Sequence, residues 1–174
     1  MFRSWCAGLG VCLPVLVAAC GASESLRGQV FDDGRVRYRV GGQTQAFERV
    51  EVGDNDLAWH DARYGTISVN ATCKTFEDVP ARAMLNQLLI GTSERHFRTE
   101  ETVTLDGRGA EHAIVDLELD GVPVTVDVYL LLKDGCVYDL THVAGRELAE
   151  QGRPLFESFV RDFAVLSPPK PAQD

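Results

Sequence analysis

The chain carries few of the patterns through which enzymes reveal their chemistry. It has no Gly-x-Ser-x-Gly elbow to raise a serine nucleophile, no glycine-rich phosphate loop and no His-Glu-x-x-His zinc pair. Its cysteines do not show the Cys-x-x-Cys spacing of thiol oxidoreductases. Basic charge is scarce, with 17 Lys and Arg against 26 Asp and Glu, and the net charge of −9 is spread along the chain. That argues against nucleic acid as a partner and against electrostatic attraction to anionic lipid headgroups. There is no internal repeat, and no apolar run reaches the roughly 20 residues that a bilayer-spanning helix needs.

What is present begins at the N-terminus. Arg3 is followed by a charge-free stretch from Ser4 to Ala19. Its length is that of a secretory h-region, and Gly8, Gly10 and Pro14 make it a poor permanent helix. An ordinary signal ends in small residues of the Ala-x-Ala type, which "VAAC" nearly supplies. Val17-Ala18-Ala19-Cys20 also resembles the lipobox of bacterial lipoproteins: an aliphatic residue, two small residues, then cysteine. The resemblance implies that residues 1–19 are a signal peptide, and that Cys20 bears lipid and becomes the mature N-terminus. Each buried methylene adds about 0.8 kcal/mol, so two or three acyl chains hold a protein on a membrane nearly permanently. Gly21 is not the aspartate that the family associates with inner-membrane retention. The expected location is therefore the bacterial cell envelope, lipid-anchored at the outer membrane and facing the periplasm.

Cysteine usage follows from this. Cys6 and Cys12 leave with the signal and Cys20 is capped, so of five cysteines Cys73 and Cys136 remain, one pair in an oxidising compartment. A disulfide between them would close a long loop, for which chain entropy gives about 4 kcal/mol. Two cysteines without nearby histidines offer too few ligands for zinc. No metal or cofactor is expected.

Residues 20–29 read as a lipidated N-terminus and tether, 30–166 as a single domain, and 167–174 ("SPPKPAQD" from Ser167) as a proline-rich flexible tail. In the domain, "VRYRV" and "QAFERVEV" flank Gly41-Gly42 as a hairpin, and "LAWHDARYGTISVNATC" turns about Tyr64-Gly65 as a second. A helix follows, with Asp78 as its cap, Pro80 in its first turn and Ala81, Met84, Leu85, Leu88 and Leu89 on one face. Four strands, near 97–105, 110–119, 122–133 and 136–143, are joined by "DGRG", Asp120-Gly121 and Asp134-Gly135. A closing helix spans about Glu147 to Val165, with Pro154 delaying or kinking it.

Two-residue loops fix the registers. Val126 falls opposite Val115 and Val143, Val124 opposite Leu117, and Leu132 opposite Val137. One sheet face is then apolar from Val115 to Leu132 and needs a helix over it. The other carries Tyr129, Leu131, Tyr138 and Leu140 at one end and Asp116, Thr125, Asp127 and His142 at the other, the polar end being exposed. The fold class is α+β, an antiparallel sheet of hairpins and a four-strand meander packed with two main helices. This order of elements resembles the PsbP-like fold over residues 30–165. The fold occurs in a photosystem II extrinsic subunit, a Ran-binding nuclear import factor and small bacterial secreted proteins, most of which bind or scaffold.

Two residue groups could carry function. His142 lies across from Asp127 with His112 diagonally beside them, and a carboxylate orienting a histidine is an ingredient of acid/base sites. As an exposed cross-strand pair, His142 and Asp127 would each contribute under about 1 kcal/mol. Trp59 beside His60 and Asp61 could line a ligand site, or simply pack at a strand edge. His96 reads as a linker between helix and strand. Two readings follow: an envelope protein whose domain binds a protein, peptide or small ligand, or a lipid-anchored enzyme using the His142 patch.

Overall fold

Three Asp-Gly pairs, at 106–107, 120–121 and 134–135, shape the second half of the domain. Both residues of each pair take positive φ, from 47° to 79°. That is the conformation of a two-residue turn whose twist matches the strands it joins. Aspartate tolerates it and glycine adopts it freely.

The computed structural model describes residues 30–41, 47–53, 55–73 and 79–167. The expected signal segment, Cys20, the tether, Asp78 and the tail beyond Ser167 lie outside them. In chain order the elements are β1 (Val30–Asp32), β2 (Arg37–Arg39), β3 (Glu48–Val50), β4 (Leu57–Asp61), β5 (Gly65–Cys73), α1 (Ala81–Leu88), β6 (Thr92–Leu105), β7 (Arg108–Leu119), β8 (Val122–Lys133), β9 (Cys136–Gly145), α2 (Ala149–Arg161) and β10 (Ala164–Ser167). β3 to β9 form one antiparallel sheet in the order β3-β4-β5-β9-β8-β7-β6, and β1, β2 and β10 form a small second sheet. Among the described residues no helix is long and apolar enough to cross a membrane.

The meander has the registers its turns dictate: Val126 opposite Val115 and Val143, Val124 opposite Leu117, and Leu132 opposite Val137. Period-two alternation then sorts the side chains into two cores. On one face Ala113, Val115, Leu117, Val124, Val126 and Val128 pack with Leu85 and Leu89 beneath α1. On the other, Ile67, Val69, Leu131, Tyr138 and Leu140 pack with Phe156, Phe159 and Val160 of α2 and with Tyr38 of the small sheet.

Four local expectations change. β2 and β3 do not form a hairpin, because a nearer turn takes β2. Asp33 accepts bonds from the Arg35 and Val36 amides at 2.8 Å each, and this closes β2 onto β1. The second helix stops at Arg161 rather than Val165. Phe163 turns into the core against Tyr38 and Tyr138, and 164–167 becomes β10, held by the Val165 amide bond to Asp106 at 2.8 Å. In α1, Pro80 is the N-cap rather than a first-turn residue, and Leu88 points outward while Met84, Leu85 and Leu89 are buried. His96 belongs to β6, which starts earlier than the apolar pattern implies.

Cys73 and Cys136 stand directly opposite at the last rung of the β5–β9 ladder, 4.1 Å apart at Cα, and are disulfide-bonded. The bridge spans a sequence separation of 63. Replacing both cysteines with serine should lower unfolding stability by about 4 kcal/mol. An unchanged urea midpoint would show that the bridge constrains nothing the sheet does not already hold.

Candidate functional site

The polar end of the mixed face is not exposed. α2 lies over it, leaving Asp127 2%, His142 1% and His112 7% exposed. The pairing inferred from the turns is present: Asp127 faces His142 across β8–β9, and His112 faces Tyr129 across β7–β8. The hydrogen bonds run differently. His112, not His142, binds the aspartate, through Nε2 to Asp127 Oδ1 at 3.0 Å. Its Nδ1 meets Glu101 Oε1 on β6 at 3.1 Å, and its ring stacks on Tyr129 with centroids 4.0 Å apart.

A carboxylate only accepts hydrogen bonds, so a histidine held between two of them makes both bonds only as the imidazolium. Burial pulls the His112 pKa down, but the hydrogen bonds and charges of Asp127 and Glu101 outweigh it and raise the pKa above the ordinary histidine value. His142 takes the opposite state. Its Nε2 donates to the Tyr64 carbonyl at 2.6 Å. Burial lowers its pKa, assisted by the Arg153 charge and only partly offset by the Tyr64 bond and the Asp127 charge. The two rings on either side of Asp127 therefore favour different protonation states.

α2 closes the cluster. Arg153 Nε lies 3.6 Å from Asp127 Oδ2 as a buried ion pair, and its guanidinium grips Glu150 at 2.6 and 2.9 Å. Glu150 also receives Arg98 of β6 at 2.7 Å. Asp116 stands 3.8 Å from Arg98 and accepts the Thr125 hydroxyl at 2.7 Å. The charges thus form a continuous chain from the buried aspartate to the edge strand. Directly above His142 sits Gly152, where a Cβ would overlap both the imidazole and the Tyr64 carbonyl. Both His112 nitrogens are occupied, and the His142 donor is taken beneath a helix backbone. In this tautomer the His142 lone pair is on Nδ1, but the ring is buried beneath the helix, so neither ring is open to an incoming substrate. The arrangement is chemically suited to fastening α2 to the sheet and to sensing pH.

Truncating Asp127 would leave buried His112 with only the exposed Glu101 and Arg153 with only the exposed Glu150, a loss of about 3 kcal/mol in denaturant unfolding. That replaces the value of 1 kcal/mol or less that belongs to an exposed pair.

No protein-family model and no curated protein matches the sequence. Solved structures do match. LpqN of Mycobacterium tuberculosis, involved in cell envelope biogenesis, superposes with a TM-score of 0.54 at 12% identity, over 78% of this chain and 87% of its own. The cyanobacterial PsbP protein CyanoP of Synechocystis sp. PCC 6803 gives a TM-score of 0.50 at 12% identity, over 86% of this chain and 99% of its own. The fold is PsbP-like. PA94 of Pseudomonas aeruginosa, a protein of unknown function, also matches, with a TM-score of 0.50 at 10% identity over 82% and 88% of the two chains.

Within this PsbP-like domain the second candidate pair comes apart. Trp59 is buried on the α2 face, edge-on to Phe159 with centroids 5.7 Å apart and with the Arg49 guanidinium 5.5 Å from its ring. His60, its neighbour in β4, points to the opposite face and is exposed, with Nδ1 3.0 Å from the Thr66 hydroxyl. Alternation along one strand prevents the two from lining one site. Asp61 instead holds Arg63 across the hairpin turn. A hollow of about 260 Å³ lies at the far end of β9, lined by Arg108, Lys133 and Val137, and includes no histidine.

Sequence reasoning missed Glu101, Glu150, Arg153 and Gly152, which reach the cluster from β6 and α2, because only helix docking brings them there. It also missed two carboxyls. Asp56 is raised by burial, although the Ala71 amide at 2.9 Å and the Tyr38 hydroxyl at 3.2 Å bind it. Asp139 is pushed up to about 6 by burial, against its bond from Asn70 at 3.3 Å.

In NMR titrations, the His112 ring should titrate above about 6.5 and the His142 ring below it. A reversed order would contradict the assigned partners. By linkage, His112 adds stability that is complete below the unfolded pKa and is lost as pH rises through its raised folded value. His142 acts oppositely, losing stability as pH falls towards its lowered folded value. His112→Gln should therefore destabilise more at pH 5.5 than at pH 8.5, measured by denaturant unfolding.

Gly152→Ala separates local propensity from packing. Alanine is the better helix former by about 1 kcal/mol, yet here it should destabilise by about 1–3 kcal/mol through overpacking. A raised melting temperature would refute the close approach of α2 to His142.

Proposed function

We propose that this chain is a lipid-anchored protein of the bacterial cell envelope whose PsbP-like domain binds or scaffolds a partner rather than catalysing a reaction. The observation that carries the reading is the closure of the His112–Asp127–His142 cluster. Among the described residues this constellation of acid/base groups is buried, with His112 held between Asp127 and Glu101, His142 bonded to the Tyr64 carbonyl and the Gly152 backbone roofing the His142 ring. Anchoring rests on the lipobox resemblance at Val17 to Cys20, with Gly21 favouring the outer membrane and a periplasmic orientation. LpqN's involvement in envelope biogenesis in its own organism supports the same setting. The partner on this reading is an envelope protein, peptide or small ligand. The enzyme alternative needs α2 to lift from His142 so that a substrate can enter.

Cells fed labelled palmitate should incorporate it into the wild-type protein and not into Cys20→Ser. Equal labelling of both, or a soluble wild-type product, would sink the anchoring. A folded His142→Ala variant, its lipidation intact, should retain whatever envelope phenotype deletion of the gene abolishes. Loss of that phenotype would favour the enzyme.

A further inference from the structure

Strand order leaves β6 at one edge of the large sheet and β3 at the other. β3 has three residues, whereas β6 has 14, and among the described residues no strand pairs with its outer side. An edge of that length carries a row of unpaired N–H and C=O groups that can template another strand. The first half of β6 is blunted against this. Its pairing with β7 is broken by bulges between Ser93 and His96 and between Phe97 and Thr99, and Glu94 takes a φ of 48°. Bulges twist an edge away from an incoming strand.

The second half has no such device. From Thr99 to Leu105 the register runs unbroken against Ile114 to Arg108, with no proline, glycine or lysine. The two-residue turn at Asp106-Gly107 makes Leu105 and Arg108 a hydrogen-bonded pair. Bonded pairs recur at every second residue, so the backbone groups of Thr104, Thr102 and Glu100 point outward. The charges of this stretch are spent within the domain. Arg82 of α1 holds Glu100 at 2.6 Å, and His112 holds Glu101 at 3.1 Å. The Thr102 hydroxyl donates to Glu111 of β7 at 3.1 Å. Bare glutamates on this edge would call for a basic strand; neutralised ones do not.

A strand of the same composition fits, and its register can be read. Two identical edges pair antiparallel about a two-fold axis. An axis at Glu100 or Glu101 sets that glutamate against its own copy, which is unfavourable. An axis at Val103 sets Glu100 against Asp106, and one at Thr104 runs the turn against Thr102. An axis at Thr102 avoids these faults: Thr102 faces its own copy, Glu100 faces Thr104 and Glu101 faces Val103. The residues with outward backbone groups then meet one another and exchange both bonds. We propose that a second copy of this chain adds along β6 in that register, joining two seven-stranded sheets into one with both α1 helices on the same face. The contact needs neither the lipid anchor nor any opening of the cluster beneath α2.

The test places single cysteines on β6 of the full chain in intact cells, Thr102→Cys on the axis and Ser93→Cys beyond the bulges. Cα atoms of a bonded antiparallel pair lie about 5.5 Å apart, within reach of a disulfide. Cys73 and Cys136 are already bonded, and the wild type run in parallel reports any background from Cys20. Under mild oxidation about half or more of Thr102→Cys should become a reducible species of twice the chain mass, against under about a tenth for the wild type and Ser93→Cys. Purified in mild detergent, the wild type should sediment as a dimer. Thr102→Pro, which deletes an outward amide, and Thr102→Lys, which opposes two ammonium groups at the axis, should sediment as monomers with unchanged circular dichroism. The lysine variant leaves the backbone intact and decides the matter if the proline variant does not fold. No cross-link at 102, equal cross-linking at 93, capture of a different protein at 102, or a folded Thr102→Lys that stays dimeric overturns the proposal. A monomeric wild type also overturns it, while leaving the binding reading above intact.

Discussion

The close approach of α2 to β9 is the constraint on which the rest of this domain depends. Only a residue without a Cβ fits between the helix and the His142 ring, and Gly152 supplies it. Once the helix sits that low, Arg153 reaches Asp127 and Phe156 and Phe159 fill the space above Tyr129 and Trp59. A helix one side-chain layer higher would leave Asp127 facing an open slot, without the Arg153 guanidinium beside its Oδ2. The covered polar cluster and the aromatic core are thus consequences of a single close contact.

That contact also explains why a pattern resembling an acid/base site is closed to solvent here. A carboxylate, two histidines and an arginine are the right chemical types, but His112 is held between Asp127 and Glu101, Arg153 by Glu150, and His142 by the Tyr64 carbonyl, all beneath α2. Buried polar networks of this kind specify a unique docking of the elements that contribute to them. The network draws on β6, β7, β8, β9 and α2 at once, so it fixes the helix in both position and rotation.

The meander was legible because its information is local. Asp120-Gly121 and Asp134-Gly135 carry the turn geometry within two residues, and alternation does the rest, so the strand pairs and the opposition of Asp127 to His142 follow directly. What could not be read are contacts between elements distant in sequence. The second hairpin and, Leu88 apart, the apolar face of α1 obeyed local rules, whereas β2 deserted β3 for a nearer turn centred on Asp33. β10 hid inside an apolar run that a helix would explain equally well. The polar end was misjudged as open because nothing local in β8 or β9 announces that a helix will lie across it. Trp59 and His60 looked like one site only because they are adjacent in sequence, and strand alternation separates them.

The Cys73–Cys136 bridge has a consequence for the order in which the chain organises. Each hairpin of the meander closes a loop of two residues and can zip without waiting for the rest, as contacts of short sequence separation do. The β5–β9 ladder must instead bring together segments separated by α1, β6, β7 and β8. Its final rung is the cysteine pair. The two thiols are therefore presented to each other only after the meander has formed and β5 has docked along β9. Oxidation at that point seals an assembled sheet and does not guide its assembly, so a reduced chain should follow the same route to the same topology and simply leave it more readily.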